Sequence, residues 1–201
     1  GTGKLWIDDF QVFIDGKPVQ DAIEIFVDPE FKKFPFPSEK LLIDSTSVIG
    51  KIPSSFGFDP YYKKYLNARG IPLVSSEKVS DAAFYQARNT MLYMLERIPD
   101  VRLKIIENNV RVAIMAPDEL TTTIPEHSDL NRAFPETDWD TRARGLSATL
   151  VRPATTCAEE NLLCYENDPY EGEDILVHEF AHTIQALGLS FIDVDFDKKL
   201  T

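Results

Sequence analysis

Residues 174–184 read Asp174-Ile175-Leu176-Val177-His178-Glu179-Phe180-Ala181-His182-Thr183-Ile184, and this stretch decides what the fold must accommodate. Ile175, Leu176 and Val177 precede the polar residues, and Phe180, Ala181, Ile184, Ala186 and Leu187 surround them. Apolar residues recurring at helical spacing predict a largely buried helix over 172–189. Glu171, Glu173 and Asp174 fall at its N-terminus, where the helix dipole favours negative charge. Within it, His178-Glu179-Phe180-Ala181-His182 is an H-E-x-x-H pattern. Helical residues four apart share a face with Cβ atoms about 5–6 Å apart. Two imidazoles so placed can bind one Zn2+ at about 2.0–2.1 Å each. Glu179 is offset by one position, too far round the helix to be an equal ligand but able to reach a water beside the metal. Such a metal acidifies water, and a carboxylate takes the proton as the water attacks a polarised carbonyl. Burying two histidines and a glutamate is costly unless something pairs them, and a metal does so. The competing account is a chance pentapeptide with core histidines satisfied by hydrogen bonds. The chain has only three histidines, so chance rarely produces the pattern.

Working outward from the motif, a second helix is expected from Ser80 or Asp81, either of which can cap it, to Pro99. Ala83, Phe84, Ala87, Met91, Met94 and Leu95 recur on one of its faces. A third helix is expected over 100–108, stopped at Asn108-Asn109, followed by a strand over 110–116. Residues 118–145 read as loop, 146–151 (LSATLV) as a short strand, and 61–69 (YYKKYLNAR) as a short helix stopped by Gly70 and Pro72. Near the start, residues 4–14 alternate as a strand leading to an Asp15-Gly16 turn, with Pro18 blocking further pairing. Residues 31–60, rich in Pro, Phe, Ser and Lys, read as a linker or wrapping segment. The order of elements predicts an α+β fold: residues 1–30 a β-hairpin or the last strand of a β-sandwich, and 61–201 the main domain.

With 201 residues, 43% of them hydrophobic, the chain can bury one substantial core. A net charge of −12 argues against binding nucleic acid, which needs a basic footprint. No run of apolar residues approaches the length of a membrane span, so none is expected. Residues 151–201 hold eleven of the acidic side chains against three basic ones, either a solvated acidic face or a field that favours a bound cation. Cys157 and Cys164 flank a short acidic stretch and form a disulfide candidate, with two free thiols as the alternative. A disulfide would place the protein in an oxidising setting: secreted, periplasmic or at the cell surface. The opening GTGKLW shows no signal peptide and lacks Met, as in a mature or recombinant piece.

On the segments DILVHEFAHTI and ARGLSATLVRP, the chain resembles the zincin metallopeptidases, in particular the catalytic domain of the anthrax-lethal-factor type. The resemblance implies a mixed sheet with a buried active-site helix, zinc-dependent hydrolysis of a peptide or protein substrate, His178 and His182 as metal ligands, and Glu179 as general base. It also implies that a strand at 146–151 pairs with an extended substrate. One departure matters. The metzincin pattern would place a histidine at position 188, which is Gly188, and the gluzincin ligand is a later glutamate. Nineteen residues follow His182, and their carboxylates are Asp193, Asp195 and Asp197, which read as a solvated loop. The third ligand is therefore unknown and expected beyond Thr201, leaving zinc weakly bound and turnover low. His127 reads as a surface-loop histidine, with an oxyanion-stabilising role as the alternative. Tyr165 and Tyr170 read as packing residues, with transition-state donation as theirs. The W-x-D-D segment at Trp6 resembles the end of a carbohydrate-binding β-sandwich. With Trp6 and Trp139 as stacking residues, it supports a second reading: an inactive zincin-like domain that binds carbohydrate or protein.

Overall fold

Among the described residues, pairing begins with β1 (Phe13–Ile14) and β2 (Lys17–Pro18), which run antiparallel with Phe13 opposite Pro18 and Ile14 opposite Lys17. They belong to the first of two compact units, Gly1–Leu41; the second is Leu42–Thr201. The computed structural model describes residues 13–14, 17–18, 48–170, 172–193 and 195–199. The expected strand over 4–12, Trp6 with its carbohydrate contact, and most of the Pro- and Phe-rich stretch lie outside them.

The second unit is a mixed α+β arrangement around a four-stranded sheet. Strands β3 (Lys64–Ala68) and β4 (Ile71–Ser75) form an antiparallel hairpin. This corrects the short helix expected over 61–69. Arg69 and Gly70 both take positive φ, +50° and +102°, the backbone of a two-residue hairpin turn whose twist matches the strands it joins. Helix α1 (Asp81–Met94) follows, with the Ser80 side chain accepting the Ala83 N–H, and then α2 (Pro99–Glu107), with proline in its first turn. Strand β5 (Arg111–Met115) pairs parallel to β4, and β6 (Ala154–Ala158) parallel to β5, giving the order β3-β4-β5-β6. Single helical turns break up the loop before β6. The strand expected at 146–151 is reduced to one antiparallel bridge, Leu146 to Thr156, while the strand itself forms a few residues later, at Ala154–Ala158 around Cys157.

Both faces of the sheet are covered, as parallel strands require. Val112 and Ile114 of β5 join Leu66, Leu73 and Cys157 in the larger core, against Phe84 and Met91 of α1 and Val101 and Ile105 of α2. Ala113 and Met115 turn to the other face, with Tyr62, Val74, Ile124 and Ala158. Helix α3 (Glu159–Leu162) leaves β6 directly, and α4 (Ile175–Ile184) packs on β6, α1, α2 and α3. Beyond α4 the chain makes one π-helical turn, Gln185–Leu189, and a short helical turn, Ser190–Ile192.

Two expectations need correction here. The stretch Ile175–Ile192 is 18 residues long with a mean hydropathy of 1.3, long and apolar enough, by length and composition, to cross a membrane. That overturns the expectation of no membrane span, and with it the secreted, periplasmic or cell-surface assignment. The two cysteines are also unbonded. Cys157 is fully buried in the sheet core, while Cys164 is exposed at a residue with φ +52°. The β6 side chain faces inward and the chain turns into α3 before reaching Cys164, so the sulfurs serve different environments.

Candidate metal centre

Asp174 opens the motif helix: its side chain accepts the Val177 N–H at 2.9 Å. Ile175, Leu176, Phe180, Thr183 and Ile184 face inward. His178 is half-buried, and Ala181 and His182 are exposed. The helix is thus buried on one face rather than all round, and the argument that a metal must compensate buried histidines does not hold for His182. Geometry carries the case instead. The imidazole rings of His178 and His182 lie 5.0 Å apart, centre to centre, inclined at 67°. Two imidazoles each bonded at about 2.0–2.1 Å to one tetrahedral ion have ring centres about 5 Å apart. The separation of the ring centres is of that size.

Glu179 sits against the inner wall. Burial pushes its carboxyl above the usual carboxylate range, against the pull of His178, His182 and a backbone hydrogen bond from Ser147. The wall is the segment from Arg144 to Ala148. Arg144 Nε donates to Glu160 Oε1 at 2.7 Å, and its other nitrogens donate to the carbonyls of Glu119 and Ala116. Next comes Gly145, whose missing side chain lets the segment approach α4. A Cβ there would stand 2.4 Å from Ile175 Cγ2 and 2.7 Å from the Thr156 carbonyl oxygen. Leu146 then bridges to β6, and Thr183 closes the seam. Its hydroxyl accepts the Ala148 N–H at 3.0 Å, lies 2.7 Å from Thr155 Oγ1 and donates to the Glu179 carbonyl at 3.1 Å.

Among the described residues no third His, Cys, Asp or Glu joins the pair to make a group that could hold a metal. Asp193 bonds Lys199 and the Asp195 N–H, and Asp195 pairs with Lys198 at 2.7 Å. The side chain of Asp197 lies outside the described residues. Gly188 packs on α2, where a Cβ would stand 2.6 Å from Val101 Cγ1, so position 188 serves helix packing.

The remaining candidates lie apart from the histidines in what they bond. His127 is 1% exposed, contrary to the surface-loop expectation. One ring nitrogen bonds the Ala154 carbonyl and Nδ1 has no partner, and burial lowers its pKa to about 4. Tyr165 donates to Glu159 Oε1 and Tyr170 to the Arg142 carbonyl, both structural uses of the hydroxyl. Trp139 packs edge-on against Phe134. Sequence reasoning missed Gly145, Ser147 and Thr183, because each acts through a contact between segments distant along the chain. Comparison with protein-family models, curated proteins and solved structures finds no match to this chain.

Proposed function

We propose that the chain carries the catalytic helix of a zinc-dependent peptidase of the zincin type. The observation that supports it is the pair of imidazoles on successive turns of α4, 5.0 Å apart, with a carboxyl between them whose proton affinity burial has raised. The fold is in keeping with this reading: a mixed sheet, a motif helix packed on it, and a segment antiparallel to β6 beside that helix. His178 and His182 would hold the zinc, with a third ligand from outside the described residues. Zinc in such a site supplies Lewis acidity toward a carbonyl and acidifies a water. Glu179 accepts the water's proton at a carboxylate oxygen and passes it to the nitrogen of the leaving amine, a role suited to a carboxyl whose proton affinity is raised by burial. The Ser147 N–H orients that carboxylate. The substrate of such a site is a peptide or protein.

The test is zinc uptake by the full chain, measured by competition with a chromogenic chelator, together with cleavage of a broad quenched-peptide library. Zinc binding should be lost in His178→Ala and His182→Ala. Glu179→Gln should keep the metal and lose cleavage by two orders of magnitude or more. No zinc uptake, or uptake indifferent to both histidines, sinks the proposal. Histidine-dependent zinc without cleavage favours the inactive binding module.

A further inference from the structure

Just ahead of α4, the structure holds Glu173 by its main chain and aims its carboxylate at a metal-ligand candidate. Asn161, 7% exposed on α3, donates from Nδ2 to the Glu173 carbonyl at 2.7 Å and to Asp168 Oδ2 at 2.8 Å. Its Oδ1 accepts the Ile175 N–H at 2.8 Å. The Glu173 N–H bonds the Tyr170 carbonyl at 3.0 Å, so the backbone on both sides of the residue is fixed. From that anchor, Glu173 Oε1 reaches to 3.0 Å from His178 Nδ1.

We propose that Glu173 is a positioning residue that fixes the tautomer and ring orientation of His178, leaving Nε2 as its metal-binding atom, with Asn161 as the clamp that aims it. The proposal rests on the zinc reading above and deepens it. A neutral imidazole carries one N–H, and the hydrogen bond made by one nitrogen decides which atom remains as a ligand. A carboxylate at Nδ1 keeps the proton there, so the lone pair is at Nε2. It also makes the ring a more basic donor and holds it in one orientation, from which Nε2 would meet an ion. Without that contact, His178 is half-exposed and free to take the other tautomer or rotamer. A helix-dipole role, the simpler account of an acidic residue at this place, would need no approach to one particular ring nitrogen.

The experiment uses the full chain, uniformly 15N-labelled, first without metal. Long-range 1H–15N correlations report which nitrogen of each imidazole carries the proton, and His178 is assigned by its loss in His178→Ala. Wild type should show His178 protonated at Nδ1. Glu173→Ala should shift it toward Nε2–H, while Glu173→Gln, whose side-chain oxygen still accepts a hydrogen bond, should retain it. Zinc affinity should then fall about 10- to 100-fold in Glu173→Ala, with the thermal midpoint little altered. An Nε2–H tautomer in the wild type overturns the proposal, as does a Glu173→Ala variant with unchanged tautomer and zinc affinity within twofold. If the wild type takes up no zinc, the zinc reading falls, and the metal-free tautomer still decides whether Glu173 holds the ring.

Discussion

Gly145 stands so close to the motif helix that a Cβ on it would lie 3.4 Å from Cγ of Glu179. The candidate base is therefore backed by main chain, and its position depends on a residue with no side chain. Gly145→Ala must displace Ile175 or the Thr156 carbonyl, both within 2.7 Å of the new carbon. It should cost about 1–3 kcal/mol, as overpacking does, read as a lowered urea midpoint at unchanged slope. A loss within 0.5 kcal/mol would mean the segment moves away freely, since surface changes cost about that.

Thr183 is a second test of the same seam. Thr183→Val keeps the shape but strands the Ala148 N–H and the Thr155 hydroxyl, both buried. The expected cost is about 1–3 kcal/mol, with faster hydrogen exchange at Ala148, whereas Thr183→Ser should stay near wild type. Equal stability of the valine and serine variants would show that the hydroxyl holds nothing.

His127 should make the protein acid-sensitive. Its folded pKa of about 4 lies below the ordinary 6.5. Between those values the unfolded chain binds a proton that the folded one refuses. Stability is then unaffected above pH 6.5, falls as the pH drops toward 4, and levels off below. The difference corresponds to about 3 kcal/mol at most. Denaturation at pH 7, 5.5 and 4.5 should show that slope in the wild type and a shallower one in His127→Gln. Parallel slopes would remove His127 as a cause.

The thiols should respond separately. Alkylation of the native protein should add one label, at exposed Cys164, and reductant should leave the mass unchanged. Cys157 is buried and burial pushes its pKa up, so it should react only after unfolding. A mass gain of two protons on reduction would restore the disulfide.

The helices were readable because their signals are local. Ser80 caps α1, Pro99 starts α2, and the histidines of α4 fall on one face by spacing alone. The hairpin at 64–75 was not, because Gly70 and Pro72 also end helices. What makes them compatible with strands is pairing. Gly70 supplies a turn, and Pro72 precedes Leu73, where the β4–β5 ladder begins, so its missing N–H costs nothing there. β6 was hidden for a related reason: all five of its residues are buried, so no alternation marks it. At the site, the histidine pair was legible and its supports were not. Asn161, Glu173 and Thr183 gain their roles only when α3, β6 and α4 come together.

The apolar stretch from Ile175 to Ile192 follows, in chain order, every strand of the sheet it packs on. Synthesis proceeds from the N-terminus, and chains begin to fold as they emerge. The docking face for α4 can therefore exist before α4 does, and its greasy side is bare only for the interval between emergence and docking. Had the same residues stood first in the chain, they would have waited unprotected for more than a hundred others. The order of the elements thus acts as a form of timing, shielding this apolar stretch from other copies.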